Sequence, residues 1–364
     1  MKMETIDTPA LILDADRLNR NAARMREHCQ NAGVTLRPHL KTPKCVEVAL
    51  AATDGRMSTV TVSTLAEAEH FAQAGFDDLL YAVGVTPRKF DRLERIQRET
   101  GKTITLILDS LPMAQALAAS PLQNPALIEI DCGEHRGGLG PEHDELIEIA
   151  QALGAQFGGL MSHAGHSYST NDLQVVEQTA QAEVDAANLA AKRLRDVGLT
   201  VNTISIGSTP TVLHARDFTG ITEVRAGIYL FYDLCQYGRN ICSLDDLALT
   251  VLTSVIGHNR EAGLLTLDAG ALALSKDIGA NTFLSDAGYG WVCDAESLEP
   301  LGLSVSGVHQ EHGTVKVDES SVFERLPIGS VVRVMPGHAC LTAAGGYGRY
   351  HLTDGRIWNR VDGW

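Results

Sequence analysis

Between about residues 30 and 240 short β-rich runs alternate with helical stretches, and this alternation limits the fold more than any other feature. Strands are predicted at 35–40, 59–63, 78–83, 103–108, 126–131, 157–163, 203–206 and 223–230. Helical patterns lie between them, as at 65–74, 89–100 and 180–197, and Gly75, Gly101 and Gly198 stand where helix C-terminal caps belong. Eight strands at a spacing of roughly 25 residues predict an α/β fold, a TIM-type (β/α)8 barrel. A doubly wound open sheet is the alternative, but it usually has fewer strands. Past residue 240 the texture changes. Runs at 247–256, 263–267, 303–308, 314–317 and 330–335 are strand-like, with glycine-containing turns between them. The expected organisation is a barrel over 15–240 and a mostly β domain over 241–364. Residues 1–14, with the apolar Ala10-Leu11-Ile12-Leu13, add a strand to the latter.

Composition narrows the functional classes. A formal charge of −15 argues against a nucleic-acid or anionic-membrane partner, either of which needs a dominant basic surface. No apolar run approaches the roughly 20 residues that span a bilayer. Met1-Lys2-Met3-Glu4 lacks the apolar core of a signal peptide, so the expected location is the cytoplasm. The seven cysteines are odd in number, scattered and without a CxxC pair, which predicts reduced thiols rather than a disulfide framework.

The chemistry-bearing residues gather at predicted strand ends. In Arg37-Pro38-His39-Leu40-Lys41-Thr42, alternation puts Arg37, His39 and Lys41 on one face. Three buried cations need an anionic ligand or carboxylate partners. A lysine at the C-terminal end of a barrel strand stands where such active sites are built; the plain alternative is an exposed basic turn. On the fifth strand Leu127, Glu129 and Asp131 share a face and could counter that basic set, while Arg136 in the next loop could donate to an oxyanion. For Glu129 a structural ion pair is the preferred role. The sixth strand ends in Ser162-His163-Ala164-Gly165-His166-Ser167-Tyr168, which offers acid–base groups and a stacking ring. Gly207-Ser208-Thr209-Pro210 follows the seventh strand and Gly227 lies late in the eighth, the places where barrels commonly bind phosphate. In the second domain His338 and Cys340 are two apart, so in an extended chain they point the same way. Imidazole and thiolate form a zinc-type pair, although the motif alone is weak.

Taken in order, these pieces resemble the D-serine dehydratase/D-threonine aldolase family of pyridoxal-phosphate (PLP) enzymes, with the alanine-racemase type of fold (fold type III). The similarity runs over nearly the whole chain. It includes Thr8-Pro9-Ala10, the Arg37–Thr42 and His163–Tyr168 motifs, Arg225-Ala226-Gly227-Ile228-Tyr229, Glu311-His312-Gly313 and Pro336-Gly337-His338-Ala339-Cys340. The resemblance implies a PLP-binding barrel, a β domain that carries the metal ligands, and a homodimer. It makes Lys41 the Schiff-base lysine. Cofactor contacts fall at His39, Arg136, Tyr168, Ser208, Thr209 and Gly227, and His163 and His166 are acid–base candidates. His338 and Cys340 become ligands of a divalent metal, zinc by the thiolate or manganese in a harder set. Where dehydratase-like relatives have a tyrosine and an asparagine, this chain has Met161 and Ile228, so neither is a polar cofactor contact. The implied activity is a lyase that eliminates water from a small D-β-hydroxy amino acid, giving a keto acid and ammonia. An aldolase giving glycine and an aldehyde is second. A racemase, a non-catalytic PLP-binding protein and a metal-dependent barrel hydrolase are more remote.

Overall fold

The computed structural model describes residues 3–364; Met1 and Lys2, with which the 1–14 segment and the signal-peptide reading begin, lie outside them. The chain divides into two compact units, Ala22–Gly227 with Gly363–Trp364, and Ile228–Asp362 with the N-terminal segment up to Asn21.

The first unit is built on eight parallel strands. Around the sheet they run Thr35–Pro38, Glu223–Ala226, Thr203–Ile206, Phe157–Ser162, Ala126–Ile130, Ile104–Leu108, Asp78–Tyr81 and Thr59–Val62. The seam between the first and last is joined by a parallel bridge from His39 to Thr61. There the His39 amide donates to the Ala226 carbonyl and the Leu40 amide to the Thr61 carbonyl, each at 2.8 Å. This is the TIM-type barrel that the alternation predicts. The strands mostly end earlier than expected, because the residues at their C-terminal ends turn away to form the loops. The eighth stops at Ala226 rather than at 230, where Ile228–Leu230 coils into a 3-10 turn. The long helix starts well before 180, at Leu173, where the Asp172 side chain accepts the Gln174 amide as N-cap.

Register carries one face around the ring, because parallel partners point the same way. Arg37 is level with Arg225, Thr61 with Leu80, Leu80 with Thr105, Glu129 with Met161 and Met161 with Ser205. On that face Leu80, Ile107, Leu127 and Met161 form a buried apolar cluster. Arg37 is also buried there. Its partners are not Glu129 or Asp131 but the first residues of two other strands, Glu223 at 2.8 Å and Asp78 at 2.9 Å. Both lie at the N-terminal ends of their strands, so Arg37 closes the floor of the barrel and its charge is met by structural carboxylates.

In the second unit nine strands form one sheet, in the order Leu264–Leu267, Gly313–Lys316, Pro300–Val308, Gly290–Asp294, Val331–Pro336, Leu249–Asn259, Ala10–Leu13, Arg349–Leu352 and Ile357–Asn359. Leu264–Leu267 also pairs with Leu249–Asn259, which closes the first six into an antiparallel barrel. Ala10–Leu13 joins as expected, antiparallel to Leu249–Asn259 and parallel to Arg349–Leu352. Among the described residues no helix is long and apolar enough to cross a membrane.

Candidate active site and metal centre

In the barrel unit, Lys41 follows the seam that His39 joins and is exposed, whereas His39 is largely covered. Burial holds the His39 imidazole well below its ordinary range, and Lys41, Arg225 and His163 push the same way. His39 is therefore neutral. His163 is held to about 3, again first by burial and then by Lys41, Arg225 and Arg136, against an opposing bond to Gly207. Its Nδ1 lies 2.9 Å from the Gly207 carbonyl. A carbonyl can only accept, so Nδ1 carries the proton and Nε2 keeps a lone pair. These interactions gather Lys41, His39, His163, Arg136 and Arg225 into one electrostatic neighbourhood. Arg225 is anchored by bonds to Ser205 Oγ at 2.6 Å and the Ser162 carbonyl at 2.5 Å. Arg136 is half-exposed and loosely paired with Glu129 at 3.5 Å and Glu134 at 3.6 Å. The carboxyl of Glu129 is pushed up by burial despite Arg136, which suits a structural pair. Asp131 serves its own loop, accepting the Gly133 and His135 amides and facing His135 Nδ1.

The neutral histidine has a consequence for stability. Its folded value lies below the ordinary imidazole value, so between about pH 3 and 6.5 the unfolded chain binds the extra proton and stability falls as pH falls. For the cofactor-free protein, urea midpoints should drop from pH 7 to pH 5, and His163→Gln should flatten that slope. Equal slopes in both proteins would refute the assignment.

The loops after the sixth and seventh strands meet. Tyr168 Oη accepts the Thr209 amide at 3.3 Å, and the Ser167 and Ser208 hydroxyls are 2.9 Å apart. Gly207 has φ +121, and a Cβ there would lie 2.8 Å from the Arg225 carbonyl, so only glycine admits this approach. At Gly227 a Cβ would come within 2.9 Å of the His39 carbonyl. The cradle therefore contains the predicted Tyr168, Ser208 and Thr209, with Gly227 against His39. His166 packs beside Gly133, and its Nδ1 is buried without a hydrogen-bond partner.

Sequence reading missed the residue that ties these loops together. Glu183, fully buried, accepts the Ala164 amide at 3.0 Å, the Gly207 amide at 2.9 Å and the Thr211 hydroxyl at 3.0 Å. Burial raises its carboxyl, against the pull of those bonds and Arg225. The available signal was a carboxylate within the stripe of buried residues Val176, Ala180, Val184 and Ala187 on its helix. Glu183→Ala should cost about 3 kcal/mol by stranding buried donors, and Glu183→Gln, which keeps the oxygen shared by both amides, should cost less. Equal urea midpoints for Glu183→Ala and wild type would contradict this.

PLP fits the barrel set. The site supplies an accessible amine, neutral imidazoles and a backbone-lined cradle. The Thr61 hydroxyl, beside His39 in register, is buried and without a hydrogen-bond partner, a donor such a group can satisfy.

In the other unit, His338 follows the strand Val331–Pro336, but the chain beyond it is not extended as expected. Ala339–Ala343 turns into a short helix, because buried Asp233 accepts the Ala339 amide at 2.9 Å. His338 and Cys340 are nevertheless in hydrogen-bond contact. Burial disfavours the imidazolium of His338, yet Asp277 and Cys340 overcome this and push it up to about 11. Among the described residues no group of three or more His, Cys, Asp or Glu forms a metal-holding cluster. Two protein donors, His338 and Cys340, would leave a cation positions for water or substrate, and this donor set fits zinc.

Residues 13–234 match the family of the alanine racemase N-terminal domain, and residues 248–353 match that of the putative serine dehydratase domain. The D-threo-3-hydroxyaspartate dehydratase of Delftia sp. (strain HT23) is 40% identical, over 99% of this chain and 98% of its own. The 3-hydroxy-D-aspartate aldolase of Paracoccus denitrificans (strain Pd 1222) is 30% identical, over 93% of this chain and 86% of its own. Among solved structures, a cysteine-to-alanine mutant of a D-threo-3-hydroxyaspartate dehydratase in the metal-free form superposes with a TM-score of 0.95. It is 39% identical and both chains are fully covered.

Proposed function

The chain belongs to the family that joins an alanine racemase N-terminal domain to a serine dehydratase domain, whose members are lyases acting on D-hydroxy amino acids, and from that premise we propose that it is a PLP- and metal-dependent dehydratase. Its substrate is a small D-β-hydroxy amino acid of the 3-hydroxyaspartate or serine type, which it converts to a keto acid and ammonia. The observation that carries this reading is the gathering of Lys41, His39, His163 and Arg225 at one end of the barrel. With it goes a cysteine–histidine pair, Cys340 and His338, in the dehydratase-type domain.

Lys41 holds the cofactor, and Tyr168, Ser208, Thr209 and Gly227 line the phosphate side. PLP held there would supply an electron sink for the pair left at Cα, and zinc held by His338 and Cys340 would supply Lewis-acid help to a departing hydroxyl. The protein residues do the rest. Lys41 Nζ takes the α-proton. His163, its Nδ1–H fixed on Gly207, presents a neutral Nε2 that can accept and return a proton without adding a buried charge. His166 is a second proton carrier, and Arg136 screens developing negative charge.

The 30% identity to a 3-hydroxy-D-aspartate aldolase supports one rival, retro-aldol cleavage on the same scaffold. Product analysis decides between them. The PLP- and zinc-loaded protein is given D-threo-3-hydroxyaspartate, D-serine and D-threonine, with L-isomers as controls. Keto acid plus ammonia from a D-isomer is the expected result; glycine plus an aldehyde would move the protein to the aldolase branch.

A further inference from the structure

His338 can bind a cation through only one of its ring nitrogens, and the structure decides which. Its Nδ1 lies 2.5 Å from Asp277 Oδ2. A carboxylate there accepts, so Nδ1 keeps its proton and Nε2 is the nitrogen whose lone pair a bound cation would take. Asp277 is itself held in place: its Oδ1 accepts the Gly279 amide at 2.7 Å, and its own amide donates to Ser275 Oγ at 3.2 Å. Ser275 adopts φ +72, an uncommon conformation for serine, just where the chain turns towards Asp277. On the other side of the ligand pair, Asp233 Oδ2 accepts the amide of Ala339, the residue between His338 and Cys340, and Asp233 Oδ1 accepts the Gln236 amide, both at 2.9 Å. The Cys235 amide also donates to the Gly337 carbonyl at 3.0 Å. The backbone that carries both ligands is thus held by Asp233 and Cys235, while the Asp277 side chain meets the pair through the His338 imidazole.

We infer that Asp277 is a positioning residue for a divalent metal: it selects the Nδ1–H tautomer of His338, orients the ring and makes Nε2 a stronger donor. A carboxylate behind a metal-bound histidine acts in this way, and its loss typically weakens metal affinity about 10- to 100-fold. The inference rests on the metal assignment proposed above, and the test separates the two.

Zinc affinity is measured by chelator competition on the PLP-loaded wild type and on Asp277→Ala, Asp277→Asn and His338→Ala, with PLP content and thermal midpoint followed in parallel. His338→Ala should lose tight zinc binding. Asp277→Ala should weaken it by about 10- to 100-fold with PLP content unchanged. Asp277→Asn should recover most of the loss, because its amide oxygen can still accept from Nδ1–H. Wild-type affinity in Asp277→Ala, with zinc lost in His338→Ala, would overturn the role of Asp277 alone. Wild-type affinity in both would overturn the metal assignment as well. A measurement that needs no folded variant is the ¹⁵N spectrum of histidine-labelled, zinc-loaded wild type. A proton on Nδ1 of His338 is expected, and one on Nε2 would refute the inference.

Discussion

Lys41→Ala is expected to lower turnover of D-threo-3-hydroxyaspartate or D-serine by about 10³-fold or more, and to abolish the long-wavelength absorbance of a lysine-bound pyridoxal. The size of the effect follows from two roles falling on one atom. In the proposed mechanism Nζ is both the cofactor's covalent anchor and the base that takes the α-proton, so alanine would remove both at once. Lys41 lies beyond the end of its strand and is exposed, which means that little packing is lost and urea midpoints of the cofactor-free variant should match wild type. His39, whose backbone joins the barrel seam, and the buried Arg225 would not give so clean a test. Lys41→Arg keeps the charge but supplies no nucleophilic amine, and it should behave like alanine. An unchanged spectrum in either variant would remove Lys41 from the site.

Cys340→Ala should produce the second largest effect, a loss of about 10²-fold or more in water elimination together with the bound zinc. The cofactor spectrum should survive, because the residues proposed to hold the cofactor are drawn from the barrel. Hydroxide is a poor leaving group, and the metal's part falls on the breaking bond rather than on the α-proton. Exchange of the α-proton with deuterated solvent should therefore outlast net elimination in this variant. Retained zinc and retained turnover would show that Cys340 is not a ligand. Loss of zinc with full turnover would show that the metal does not serve the reaction.

The barrel was legible because its signal is repeated: each of the eight predicted strands is present, and parity alone put Arg37 and His39 on the inner face with Glu129. Pairing across the barrel was not legible. Arg37 meets Glu223 and Asp78, residues far away in sequence that only strand register brings level with it. The second unit was less readable. Its strands at Gly290–Asp294, Arg349–Leu352 and Ile357–Asn359 were missed, since each is short and mixes polar or glycine residues with apolar ones, which blurs the strand pattern. The extended reading of His338 and Cys340 failed for a related reason. Whether Ala339 begins a helix depends on Asp233, more than 100 positions away. Motifs exposed the residues that offer reactive atoms, such as Lys41, His163 and Cys340. They did not expose Glu183, Asp277 or Asp233, which act by holding other residues and carry no local pattern beyond a carboxylate in an unusual place.

The most direct test of the central claim is reductive trapping. The PLP-loaded wild type is treated with borohydride, digested, and its peptides are mapped by mass spectrometry. A phosphopyridoxyl adduct on the peptide containing Lys41, at about one per chain and absent when a D-β-hydroxy amino acid is added in excess before the reductant, is the result predicted. An adduct confined to another lysine such as Lys44, or no adduct on a protein that still turns over its substrate, would contradict the account.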